Sequence, residues 1–156
     1  MVRVEEGTNE ALAEVVANIR DSDVREFLAI SYLDNRDDLA ADLIARYSDR
    51  TDTFVAIRDN HAVAFGAMVE TRPGVISAGF FATEDFPSVA RPVARFVRRE
   101  LFPAYRRAGV HRIGCMIIDG YESAMLFVQL LGLKFEHEVR GYGKNGESFF
   151  SFAWVG

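Results

Sequence analysis

Between Thr53 and Ile118 the hydrophobic pattern changes period twice, and this double change restricts the chain to few architectures. Phe54-Val55-Ala56-Ile57 is a short apolar run of the kind found in a strand, and the Asp59-Asn60 pair after it suits a tight turn. A second strand reads from Ala62 to Glu70, with the longest clean apolar stretch, Ala62 to Val69, inside it; Pro73-Gly74 ends it. Val75 to Thr83 is a third strand, and the three read as an antiparallel meander. The spacing then turns helical from Ser88 to about Ala108, with Val89, Val93, Phe96, Val97, Leu101 and Tyr105 on one stripe. Pro103 inside this segment predicts a kink or split, and Gly109 suits the end of a helix. His111 to Ile118 returns to a strand pattern. A strand, a helix and a strand in succession make a right-handed crossover whose two strands are parallel. A mixed sheet is therefore expected.

The flanks are consistent with that core. Val2 to Glu5 reads as a short edge strand. Three helices follow: Ala11 to Ile19, capped by Thr8 or Asn9; Val24 to Tyr32, with Phe27, Leu28 and Tyr32 in register; and Arg36 to Tyr47. After the crossover, Glu122 to Leu131 reads as a helix ended by Gly132. Phe135 to Arg140 and Ser148 to Val155 form a last strand pair around a glycine-rich turn. No repeat, low-complexity tract or Pro/Gly/Ser linker interrupts the chain, so its 156 residues are expected to form one domain.

Charge and composition exclude several classes. The first sixty residues carry fourteen acids and seven bases, whereas residues 91 to 140 carry five acids and nine bases. This balance argues against general nucleic-acid binding and leaves room for a local anion site among Arg91, Arg95, Arg98 and Arg99, which share a helical stripe. No apolar run is long enough to span a bilayer, and Met1 to Glu6 has no leader-like core. The lone Cys115 cannot form an internal disulfide and reads as a small buried hydrophobe, which favours a reducing, cytoplasmic setting. His61, His111 and His137 have no metal-binding spacing, so no metal is expected.

One segment, Ile117-Ile118-Asp119-Gly120-Tyr121-Glu122-Ser123-Ala124 continuing to Leu131-Gly132-Leu133, resembles the fifth strand, fourth helix and following turn of the GNAT (Gcn5-related N-acetyltransferase) superfamily. In that family an Asn stands three residues before an Ala, and Leu-Gly-Phe follows it; here Ala124 is followed by Leu131-Gly132-Leu133. The C-terminal half also resembles small GNAT-like proteins of T7-like phages linked to virion assembly. The resemblance implies an α/β fold with about six or seven strands in a mixed sheet, helices on both faces and a splayed central strand pair. It further implies acetyl-CoA as co-substrate, lying along the backbone of Gly79, Phe80, Phe81 and Ala82, with Ser88, Arg91 and Arg95 near its phosphates. The acceptor would be a primary amine on a small molecule or protein.

The sequence departs from the family at the site itself. Where active members carry a glycine-rich phosphate loop, this chain has Glu84-Asp85-Phe86-Pro87-Ser88-Val89-Ala90-Arg91-Pro92. That stretch has no glycine, two prolines that each remove a donor, and two acids that repel phosphate. Tyr121 stands at the Asn position, and Val128 stands where many members keep a tyrosine general acid. Acyl transfer from a thioester needs a base, donors for the carbonyl and an acid for the thiolate. Glu70 and Glu84 are the candidate bases, and Tyr142 and Tyr121 the replacement acids; the plain alternatives are solvated carboxylates and aromatics covering the core. Two functions follow from the resemblance. One is an N-acyltransferase with a degenerate loop; the other is a GNAT-fold binding module without catalysis, associated with a phage virion or a host protein. The first places the chain in the cytoplasm, the second in host cytoplasm or virion, and a homodimer is compatible with either.

Overall fold

The computed structural model describes residues 1–156. In chain order the elements are β1 (Val2–Glu6), α1 (Asn9–Ala17), α2 (Asp21–Ala29), α3 (Arg36–Tyr47), β2 (Thr53–Arg58), β3 (His61–Arg72), β4 (Val75–Ala82), α4 (Ala90–Phe96), α5 (Phe102–Arg107), β5 (Arg112–Ile118), α6 (Glu122–Leu130), β6 (Lys134–Val139) and β7 (Phe149–Val155). All seven strands belong to one sheet, in the order β1-β2-β3-β4-β5-β7-β6. β1 and β2, β2 and β3, β5 and β7, and β6 and β7 pair antiparallel, while β4 and β5 are parallel, so the sheet is mixed. The chain gathers into two compact units, Met1–Met68 with Gly79–Val93, and Val69–Ala78 with Ala94–Gly156.

In the first unit, the Asp59-Asn60 pair turns β2 into β3 with φ of 50° and 65°, the left-handed pair that a tight hairpin requires. Thr8 caps α1 by accepting the Ala11 N–H at 3.1 Å, and Asn35 caps α3 by accepting the Asp38 N–H at 2.8 Å. The core is aromatic. Phe81 of β4 stacks on Phe65 of β3 at 5.5 Å between centroids, and Tyr47 and Phe27 approach the same ring at 5.9 and 5.8 Å. Leu12, Val15, Leu39, Leu43 and Val55 are buried in the same unit. The second helix departs from expectation at both ends. It starts at Asp21, three residues before the apolar stripe, because a polar first turn satisfies a helix N-terminus without adding to that stripe. It stops at Ala29, leaving Tyr32, expected in its buried register, fully exposed.

In the second unit, β5 pairs with β7 from Arg112↔Val155 to Ile118↔Phe149. Its parallel register with β4 covers only Val75↔Arg112, Ile76↔Ile113 and Ser77↔Gly114, as expected of a splayed pair. The long helical segment does not simply kink at Pro103. Val97–Leu101 forms a wide π-type turn in which the Phe102 N–H reaches Val97 O, so the backbone adjusts one turn before the proline. Gly109 and Gly132 end their helices with φ of 101° and 98°, as the sequence indicated. Cys115 is half-buried rather than buried. No helix is long and apolar enough to cross a membrane.

Glu136 is the extra residue of a bulge in β6, between the Phe135↔Phe152 and His137↔Ser151 pairs. The bulge aims its carboxylate at Arg112, which donates to both oxygens at 2.8 and 2.7 Å, and the Ser151 hydroxyl donates to Oε1 at 2.9 Å. The Arg112 hydrogen bonds hold the Glu136 carboxyl down at about 2, from 4.5. A depressed carboxyl contributes stability that is complete above its unfolded value and is lost as pH falls through the folded one. Glu136→Gln should therefore cost about 1 kcal/mol in urea denaturation at neutral pH. That difference should shrink as pH falls below 4.5 and vanish only below about 2; equal stabilities of the two chains at neutral pH would contradict the assignment.

Candidate functional site

The last residue of β4 is where the candidate site can be built from hydrogen bonds. The Thr83 N–H donates to Val63 O of β3 at 2.8 Å. Successive residues of a strand turn their peptide groups to opposite edges, so Ala82 presents its N–H and C=O away from β3. Ala82 is fully buried, and both groups are engaged. Its N–H donates to Asp23 Oδ2 at 2.8 Å, and its carbonyl accepts the Arg20 N–H at 2.9 Å. Arg20 Nε donates to the same Asp23 oxygen at 2.8 Å, and Asp23 is only 2% exposed. Ile19 and Thr83 form an antiparallel bridge beside these bonds. An Ala82 N–H left without its acceptor in this buried position would cost about 1–3 kcal/mol.

The turn after β4 is tied to the same group. Phe86–Ser88 is one 3₁₀ turn, in which Ser88 Oγ donates to Asp85 O at 2.6 Å. The Arg20 guanidinium lies 4.9 Å from the centre of the Phe86 ring, and Phe86 meets Phe80 edge-on at 5.1 Å. Glu84 is exposed in this turn.

The other sequence candidates fall in different settings. Phe81 is a core residue, 1% exposed, whereas Phe80 is half-buried. Gly79 lies under Tyr47, whose hydroxyl would stand 3.1 Å from any β-carbon added there. Glu70 is exposed near the end of β3, where Oε2 accepts the Gly74 N–H at 3.4 Å. Arg91 and Arg95 are exposed on α4. Tyr121 is buried at the start of α6, and Val128 is buried within it. Tyr142 is half-exposed, its ring 5.1 Å from Phe149. No cluster of three or more His, Cys, Asp or Glu could hold a metal ion.

Sequence reasoning missed Arg20 and Asp23. Their only signal was a base and an acid three residues apart ahead of an apolar helical stripe, an arrangement that surface helices also show. What distinguishes them, burial against Ala82, depends on how the chain folds back.

No protein-family model matches the sequence, and no curated protein matches it by sequence. Solved structures match over almost the whole chain. An N-acetyltransferase from Staphylococcus aureus Mu50 aligns with a TM-score of 0.72 at 12% identity, over 99% of this chain and 98% of that one. An acetyltransferase of the GNAT family from Streptococcus pneumoniae aligns at 0.67 and 12%, over 99% of each chain. A Salmonella typhimurium protein assigned as an acetyltransferase, solved with its cofactor acetyl-CoA, aligns at 0.67 and 12%, over 99% and 93%. The class is therefore that of a mixed α/β sheet with a single parallel strand pair between antiparallel ones. Within it, the fold is the GNAT fold.

Gly79 offers a local test. Gly79→Val should lower stability by about 1–3 kcal/mol through overpacking against Tyr47, and Tyr47→Phe in the same chain should recover part of the loss. Thermal melts of the wild-type chain and these two variants measure this; an unchanged midpoint for Gly79→Val would mean that Tyr47 does not cover the strand.

Proposed function

We propose that this chain is a GNAT-type N-acyltransferase that moves an acetyl group from acetyl-CoA to a primary amine, and that its co-substrate edge is closed in the conformation described. The observation that supports this reading best is the outward-facing peptide of Ala82, at the end of a strand whose register with β5 stops at Ser77. A strand edge of this kind pairs with extended amides, and the pantothenate-derived arm of acetyl-CoA carries two of them. Phe80 and Ala82, two residues apart, turn their peptide groups to that same edge, whereas Gly79 and Phe81 alternate with them. Arg91 and Arg95 supply the positive charge that the glycine-free turn offers to the phosphates, while the Ser88 hydroxyl is held by Asp85 O. In the reaction the amine nitrogen attacks the thioester carbonyl, the new C–N bond forms and the C–S bond breaks. One proton leaves the amine for a base, and the departing thiolate takes one from an acid. Glu84, exposed two residues after Ala82, is the base this reading prefers, with Glu70 committed to its hairpin turn. Tyr142 keeps the assignment of acid, because Tyr121 is buried.

A second reading is a GNAT-fold protein without catalysis that binds a partner, including a phage virion or host protein. The observation favouring it is that Val128 is buried in α6, where the resemblance calls for a phenol, while the Ala82 peptide is already bonded.

Calorimetric titration with acetyl-CoA and CoA, combined with a thiol-release assay on polyamine and lysine-peptide acceptors, tests the two readings. The first expects saturable binding weaker than about 10 µM, and amine-dependent thiol release. Binding without thiol release at any acceptor favours the second reading, and no heat at millimolar ligand overturns the first.

A further inference from the structure

The bonds around Ala82 have the form of a ligand complex. An extended amide that pairs with a strand edge offers one carbonyl acceptor to the strand N–H and one N–H donor to the strand carbonyl. At Ala82 the acceptor is Asp23 Oδ2 at 2.8 Å, and the donor is the Arg20 N–H at 2.9 Å. Both come from the short connection between α1 and α2 and the first turn of α2, not from a neighbouring strand of the sheet.

Three further features make this more than a chance approach. Asp23 Oδ2 receives a second donor, Arg20 Nε, so the carboxylate is oriented and its charge balanced. The Asp23 side chain is 4% exposed and that of Arg20 14%, so the pair lies inside the unit. Arg20 also rests on Phe86, which ties the pair to the turn that follows β4.

We infer that Arg20 and Asp23 form a built-in plug, a mimic of an extended amide that occupies the pairing edge of β4 and must be displaced before an amide-bearing ligand can bind there. The inference rests on the proposed acetyl-CoA reading for the identity of the ligand. The plug makes the closed edge the ground state. Apparent affinity is then the intrinsic affinity reduced by the fraction of molecules with the plug withdrawn. Loss of two buried hydrogen bonds on withdrawal should make that fraction about one in ten or smaller.

The test is calorimetric titration of CoA into the wild-type chain, Asp23→Ala and Asp23→Asn. Asn retains an acceptor for the Ala82 N–H but loses the charge that holds Arg20, so it guards against an Ala variant that fails to fold. The plug expects CoA to bind Asp23→Ala about tenfold more tightly than wild type, with Asp23→Asn between them. A purely structural role would not tighten binding, because destabilising a binding site weakens its complex. Equal affinities in all three chains, or weaker binding in both variants, would overturn the plug and leave the acetyl-CoA reading standing. No binding by any of them at millimolar CoA would overturn that reading, and the plug's role with it.

Discussion

The closed end of β4 depends on one peptide group. A buried strand residue must satisfy its N–H and C=O, and Ala82 does so with a carboxylate and a backbone N–H rather than with a neighbouring strand of the sheet. Asp23 and Arg20 meet that requirement directly, and Phe86 is joined to it through the Arg20 guanidinium over its ring. No buried side-chain polar atom in the protein lacks a partner, so the ion pair is an integrated part of the interior. A buried pair of this kind gains little net stability by itself, but removing one member is costly. Such a pair is suited to holding a position from which it can be displaced as a unit.

The surrounding fold explains why the group is held there. Phe81, the neighbour of Ala82, is fixed by Phe65, Tyr47 and Phe27, which sets the end of β4 against α2 and α3 within their unit. α2 starts three residues earlier than its apolar stripe, and those three residues include Asp23. A first turn built from Asp21 and Asp23 suits the positive end of the helix. One of those acids then turns inward to Ala82. The same sequence feature therefore serves helix initiation and closure of the strand edge.

Much of the architecture was legible in the chain because periodicity records it directly. The apolar runs at Phe54, Ala62 and Val75, the stripe from Val89 to Tyr105 and the glycines at 109 and 132 fall where the structure needs them. The adjustment near Pro103 was legible as a disturbance but not as a π-type turn, because proline shows that a regular helix cannot continue and not how the backbone relaxes. Tyr32 looked apolar by spacing and is fully exposed, since three polar residues of the first turn shifted the helix toward its N-terminus. At the site, the absence of glycine between Glu84 and Pro92 was readable and pointed to an altered phosphate loop. The closure of β4 was not readable. It joins residues 20 and 23 to residue 82, and no local pattern encodes a contact over that separation.

The measurement that bears most directly on the account is amide-resolved hydrogen exchange of the unliganded chain, followed at Ala82. If Asp23 holds that N–H, Ala82 should exchange on the slow timescale of Phe81 in the core of its unit, and replacing Asp23 by Ala should speed it by about tenfold or more while Phe81 changes far less. An Ala82 amide that exchanges as fast as an exposed turn residue in the wild-type chain would contradict the account, because the edge would then stand open.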